Sequence, residues 1–389
     1  MFPHAYRVHR LALLCFAAPP LAVVLSAPTR GASLDELLGA AKLSGFVSTS
    51  FVYDFNRPAS DKIAGRSFDI NHADFAINKL ELELEKPAAF SGESWDVGYQ
   101  AHVIFGQDAQ LIQSAGFDLG TNGDVHSLNL TVNVPVGRGL QISAGKWVTL
   151  MGVELIQETR NPNWSEGNQF LLVENFTSTG VQLSYQFSDR LEAQFRVFNG
   201  WDVVKDNNGA LSFMGRVGYT PDDATSLSLV VYGGPEQADD TSAWRSGVNL
   251  VVSRALTPEL TLWLQGDYGH EQRNAALPDP TKDAEWWAGG LWLSYDFSSA
   301  AGLALRGDYV DDRDGARTSA APFTAPFPVN DGQKLSSLTL TLNLRPVDNL
   351  QLRPELRWDH SSARLFESRA GIFDRANRVS LGVGLAYLF

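Results

Sequence analysis

From residue 45 to the end of the chain, apolar and polar positions alternate with a period of two. In "LSSLTLTLNLR", Leu338, Leu340, Leu342 and Leu344 share one face, and Thr339, Thr341, Asn343 and Arg345 share the other. "LQLRPELRWD" sets Leu350, Leu352, Pro354, Leu356 and Trp358 against Gln351, Arg353, Glu355, Arg357 and Asp359. "KLELELEK" sets Leu80, Leu82 and Leu84 against Lys79, Glu81, Glu83 and Glu85. Each stretch predicts a β-strand with one greasy and one polar face. About sixteen such strands, each roughly ten residues long, follow one another. The last ends on "LGVGLAYLF", so that Phe389 closes the apolar face of the final strand.

The connections between strands alternate in length. Short turns such as "PVGRG", "SDR", "PDDAT", "LTPE" and "PVDN" separate longer polar segments at 107–124, 149–176, 235–243, 271–285, 312–334 and 361–375. The segment 87–94 is the exception, rather long for a tight turn. A transmembrane antiparallel up-and-down β-barrel has short periplasmic turns and longer external loops, and an even strand count leaves both termini on the periplasmic side. A soluble sandwich or a propeller has no reason to alternate this way. Aromatics gather at strand ends (Tyr53, Tyr185, Phe187, Tyr219, Tyr268, Tyr295, Phe297, Tyr309, Trp358, Tyr387), where a barrel places its interfacial girdles. The polar faces repeated around a closed sheet predict a wet interior.

The beginning of the chain fits export. Arg7, His9 and Arg10 precede an apolar run at 11–25, followed by small residues at Ser26, Ala27 and Ala32. The run is too short, and too broken by Pro19 and Pro20, for a spanning helix. Residues 1–32 are therefore expected to be a signal peptide cut somewhere between 26 and 32. Residues 33–43, "SLDELLGAAKL", have helical spacing and a capping-box start at Ser33 and Glu36, which predicts a short periplasmic or pore-side helix ahead of a barrel at 44–389. Cys15 is the only cysteine and leaves with the signal, which excludes disulfides, thiolate metal sites and cysteine nucleophiles. Loss of Arg7, Arg10 and Arg30 moves the net charge from −13 to about −16, against nucleic-acid binding. Only 19% of residues are charged, few for a soluble domain.

In order and spacing, several stretches resemble the OmpL-like outer-membrane β-barrel porin family. They are "GFVSTSFVYDFN", "AGKWVTLMGVELIQETRNPNWSEGNQF", "VFNGWDVVKDNNG", "YGGPEQ", "LRGDYVDDRDGART" and "LRPELRWDHSSARLF". The resemblance spans essentially the whole chain after the signal. It implies a passive channel for small hydrophilic solutes and ions in the outer membrane of a Gram-negative bacterium, with no catalytic residues and no cofactor. It also implies membrane lipid and lipopolysaccharide as surroundings, and leaves room for a homotrimer. Phe389 resembles the terminal signal that barrel-assembly machinery recognises. One departure concerns the "N-x-N-x-S" stretch, where a polar, often basic residue is expected after the Ser and Glu166 and Gly167 stand instead. That leaves the ion preference open.

The segment 149–176 is the longest connection, and in trimeric porins an analogous third loop folds inward and narrows the pore. It carries Glu154, Glu158, Arg160, Glu166 and Glu174, with Asn161, Pro162, Asn163 and Trp164 suited to a compact bend. The two readings are a constriction and an ordinary surface loop. Inward parity collects Arg196, Arg216, Arg245, Arg306, Arg353 and Arg357 on later strands, against Glu81, Glu83 and Glu85 on an early one. Such segregated charge either selects polar solutes or merely solvates a wide lumen and pairs across strands. "DDRDG" lacks the first acid and closing Glu of a calcium loop. His72, His102, His126, His270 and His360 show no metal-ligand pair at close spacing, so no metal is expected. His126 and Ser127 are adjacent and should face opposite sides of a strand. The rival functions are a barrel-embedded lipid-modifying or hydrolytic enzyme, and a structural or adhesive barrel with a plugged lumen.

Overall fold

The computed structural model describes residues 41–116, 119–320 and 326–389. The expected signal peptide and most of the expected helix lie outside these residues. Lys42 and Leu43, the last two positions of that helix, are strand: Leu43 pairs with Leu84, and this pairing overrides the local helical spacing.

The strands run in chain order β1 (Lys42–Asp54), β2 (Asp74–Lys86), β3 (Asp96–Phe105), β4 (Gly123–Val134), β5 (Leu140–Val148) and β6 (Thr177–Ser188). They continue with β7 (Leu191–Phe198), β8 (Ser212–Asp222), β9 (Thr225–Pro235), β10 (Trp244–Ala255), β11 (Leu260–Glu271) and β12 (Ala284–Ser298). The series ends with β13 (Ala301–Asp312), β14 (Gln333–Val347), β15 (Leu350–Ser361), a small hairpin β16 (Phe366–Glu367) and β17 (Phe373–Arg375), and β18 (Asn377–Leu388). Every strand except the hairpin pair joins one closed antiparallel barrel of sixteen, each next to its sequence neighbour. The ring closes where β1 meets β18, with Phe46 opposite Leu388 and Asp54 opposite Ser380. Backbone bonds of 2.9 Å run both ways between Gly45 and Phe389 and finish the seam. Short helices sit in the loops: α1 (Ala109–Ile112), α2 (Asn168–Val173) and α3 (Ala316–Ala320).

Burial is inverted relative to a soluble protein. On β14, Leu338, Leu340 and Leu342 are exposed while Thr339, Thr341 and Asn343 are buried, and on β15 Leu356 and Trp358 are exposed over buried Arg353, Glu355, Arg357 and Asp359. An exposed apolar belt around a polar interior is stable only when hydrocarbon replaces water outside. The closed sheet leaves no unpaired edge for that hydrocarbon to meet.

Besides irregularities near the short turns, two β-bulges shift parity along the lumen wall. Ser48 lies opposite Lys79 and Thr49 opposite Ile77, so Asn78 is an extra residue in β2. Phe75 and Ile77 face out, Asn78 and Lys79 are both buried inside, and Leu80 resumes the outer face. Likewise His102 lies opposite Ser127 and Val103 opposite Val125, which makes His126 the extra residue of β4. His126 and Ser127 are both fully buried, with Leu128 exposed beyond them. The expectation that these two neighbours face opposite sides therefore fails, because a bulge inserts one residue and re-aims its side chain.

On the side of the barrel that holds both ends of the described sheet, the turns are short. The long connection 87–95 lies there too, held against β4 and β5: Asn133 donates to the Ser91 and Ser94 carbonyls at 2.9 Å, and Gln141 donates to that of Ala88 at 2.7 Å. On the opposite side, loop residues pack into one apolar cluster that includes Phe68, Leu111, Phe170, Phe327 and Phe366.

Candidate functional site

The loop 149–176 leaves β5 and returns to β6 through a neck closed by the Thr149 N–H donating to the Phe176 carbonyl at 2.9 Å. Between these points it enters the lumen. Buried backbone polar groups need partners, and here the barrel wall supplies them. Glu355 accepts from the backbone N–H of Trp164 at 2.9 Å and of Ser165 at 3.2 Å. Arg353 donates to the carbonyls of Glu158, Asn161 and Pro162 at 2.6, 2.8 and 2.6 Å. Arg357 donates to the Glu166 carbonyl at 2.7 Å, and Asn163 to Thr341 at 2.7 Å. Asp308 accepts from the Asn168 backbone at 2.6 Å and side chain at 2.9 Å, which fixes the start of α2. The bend itself is tied by Asn161, bonded to both the N–H and the carbonyl of Leu155 at 2.8 Å.

The charged side chains stitch this loop to two arcs of wall, one around β13 and one around β2. On one arc Glu154 pairs with Arg306 at 2.6 Å, both essentially without solvent contact. On the other, Glu158 pairs with Lys79 of β2 at 2.8 Å, Gln157 donates to Glu81 at 2.6 Å, and Arg160 reaches Glu83. Asp108 shares Lys79 at 3.2 Å; burial pushes its carboxyl up to about 7 despite that neighbour. Glu166 is also buried, and burial raises it well above the usual carboxylate range, with Glu154 and Glu158 adding to the effect and Lys79 opposing it.

The structure thus brings together Glu154, Glu158, Arg160 and Glu166 with Glu81, Glu83, Arg306, Arg353 and Arg357. It does not bring Arg196, Arg216 and Arg245 to them. Arg196 binds Gln182 and the Val148 carbonyl, Arg216 binds Glu192, and Arg245 binds Glu271. Among the described residues the loop carboxylates Glu154 and Glu158 are paired with wall cations rather than free. Glu158 joins Lys79 of β2, Arg353 binds loop carbonyls, and Arg357 binds the Glu166 carbonyl while pairing with Asp359 of its own strand at 2.8 Å. Beneath the loop, on the side of the short turns, a polar cavity of about 210 Å³ is lined by Arg160, Pro162, Trp263, Arg345, Gln351 and Arg353.

Sequence reasoning missed a further loop that enters the lumen. Residues 55–73 bring Arg66 inside, where it pairs with Asp359 at 3.0 Å beside Arg378, which meets the same carboxylate at 3.0 Å. Burial pulls the Arg66 guanidinium down to about 10, with Arg357 next in effect. The inward parity of Asp359 was readable, but nothing local marks Arg66 as its partner. Lys79 was readable as inward, and its contact with Glu158 was not.

A closed sixteen-stranded barrel with a lipid-type exterior, a polar inner wall and a long loop carried into its lumen defines an outer-membrane porin. The family described as "Putative beta-barrel porin-2, OmpL-like" matches residues 40–389, and the chain belongs to it. The barrel is similar to an anion-selective porin from Comamonas acidovorans, with 12% identity, a TM-score of 0.61, and 90% of this chain and 99% of that chain covered. It is similar to the outer membrane channel DcaP of Acinetobacter baumannii, with 14% identity, a TM-score of 0.56, and coverage of 90% and 97%. It is also similar to OmpT, an outer membrane protein of Vibrio cholerae, in its trimer form, with 10% identity, a TM-score of 0.56, and coverage of 90% and 99%. Comparison with curated protein sequences gives no match.

Proposed function

We propose that this porin is a passive, narrow channel for small hydrophilic solutes in the outer membrane of a Gram-negative bacterium, with no catalytic role. The observation that carries the reading is the loop 149–176 stitched across the lumen above a polar cavity. Glu154, Glu158, Arg160 and Glu166, with Glu81, Glu83, Arg306, Arg353 and Arg357, then set the shape of the constriction more than its charge. Arg196, Arg216 and Arg245 line the wall away from it. The chain would sit among lipid and lipopolysaccharide, enter through barrel-assembly machinery that reads Phe389, and assemble as a homotrimer, as the trimer form of a similar barrel supports.

A second reading, a barrel with a plugged lumen, has one observation behind it: the apolar cluster built by loops on the far side of the constriction. Single-channel recording in a planar bilayer separates the two. Discrete conductance steps from the unaltered chain, enlarged by deletion of 161–168, are expected of the channel. Steps only after the deletion would establish the plug. Replacing Glu154, Glu158 and Glu166 by Gln tests charge separately, and a large change in reversal potential would show that these carboxylates do select ions.

A further inference from the structure

We propose that Glu81, His102 and His126 form a binding site for a divalent transition-metal ion of the zinc type. The three residues belong to neighbouring strands β2, β3 and β4, and all are buried on the lumen side. One potential ligand atom from each lies within 4.8 Å of the others, and the two imidazole rings are 5.6 Å apart, centroid to centroid. No short-range sequence spacing reports this cluster, because it is assembled across strands. The bulge is what completes it: His126 is the unpaired residue of β4, and without the insertion it could not share a face with Ser127.

A second observation points to a missing ligand. Glu81 Oε2 and His126 Nδ1 are buried, and neither has a hydrogen-bond partner among the described residues. Leaving such atoms unmatched costs about 1–3 kcal/mol each, so an unpaired carboxylate oxygen and an unpaired imidazole nitrogen in one cluster call for an occupant. His102 Nε2 lies 2.7 Å from Glu85 Oε1, which orients the ring and leaves its other nitrogen for a metal, in the manner of a carboxylate–histidine–metal relay. Two imidazoles and one carboxylate suit zinc and its neighbours and suit magnesium or calcium poorly. Tetrahedral coordination at about 2.0–2.1 Å requires the ligand atoms to draw in by roughly an ångström, within reach of histidine side-chain rotation. Gln157 of the loop holds both residues through their other atoms, its amide nitrogen 2.6 Å from Glu81 Oε1 and 3.2 Å from His126 Nε2, which themselves lie 3.3 Å apart. The occupied site would therefore press on the loop that crosses the lumen.

The test uses the complete processed chain, folded in detergent and without a histidine tag, titrated with Co²⁺ and Zn²⁺. We expect one equivalent of Co²⁺ to give visible ligand-field bands that Zn²⁺ removes and Mg²⁺ does not. His102→Ala and His126→Ala should each abolish the bands. The triple variant His72→Ala, His270→Ala, His360→Ala should keep them, because those histidines lie elsewhere on the barrel. Glu85→Gln, a change at a partly exposed position, should weaken binding about 10–100-fold. Heat-modifiable migration on gels verifies that each variant is folded. If His102→Ala or His126→Ala does not fold, the unaltered chain and the Glu85 variant decide. No stoichiometric Co²⁺ spectrum from the unaltered chain overturns the proposal, as do bands that survive His126→Ala or vanish in the triple variant.

Discussion

Arg306 and Glu154 meet at 2.6 Å in a place where water does not reach either of them. Removing one member of such a pair strands a buried charge and costs about 3–5 kcal/mol, whereas removing both costs far less. Arg306→Met should therefore lower the temperature at which the folded form disappears, and adding Glu154→Gln should recover part of the loss. Thermal unfolding followed by circular dichroism measures both, and equal losses would show that the pair does not hold the loop. Asp108 and Glu166 add a pH dependence. Burial raises both, to about 7 for Asp108 and well above the ordinary value for Glu166. Folded, both keep protons that the exposed groups would release from about pH 4 upward, so the packing of 149–176 is favoured at low pH and loses that advantage as pH rises, through about 7 for Asp108 beside the loop. Hydrogen exchange within 149–176 should be slower at pH 5 than at pH 8 after correction for intrinsic rates. Glu166→Gln should flatten the difference.

At the scale of elements, the loop and the wall are shaped to each other. A Cβ added to Gly384 of β18 would collide with the Trp164 ring, so the glycine makes room for the indole. Gly384→Val should unseat the bend and raise conductance. Trp164→Ala should make the same substitution nearly silent, and a double-variant cycle in bilayer recordings reads the coupling. The strands were legible in the sequence because each reports its own outward and inward parity, as β14 and β15 do. The bulges were not. A single inserted residue such as Asn78 or His126 shifts parity without changing the local composition, and only the partner strand's register reveals it. For 149–176 the sequence left a constriction and a surface loop both open, and its contacts were illegible. They join Glu158 to Lys79 and Trp164 to Glu355 across long stretches of chain. Parity placed the arginines inside, and it could not say that Arg353 and Arg357 would bind loop carbonyls while Arg196, Arg216 and Arg245 bound elsewhere.

For the whole molecule, orientation and closure are the testable properties. Val329 is 79% exposed on the long-loop side, so a tag beside it should be labelled on intact cells. A tag at Asp348, in a short turn, should be labelled only after the outer membrane is opened. The reverse pattern would invert the barrel. Phe389 contributes two backbone bonds to Gly45, and its deletion should reduce membrane insertion more than Leu388→Ala, which leaves those bonds in place. Because the β1–β18 seam is bonded like every other strand pair, the ring has no intrinsic beginning. A circular permutant, opened at Asp348 and joined from Phe389 to Lys42 by a short linker, should therefore refold in detergent to the same barrel. In cells it would arrive with a different last strand, which separates the physics of the ring from the logistics of its delivery.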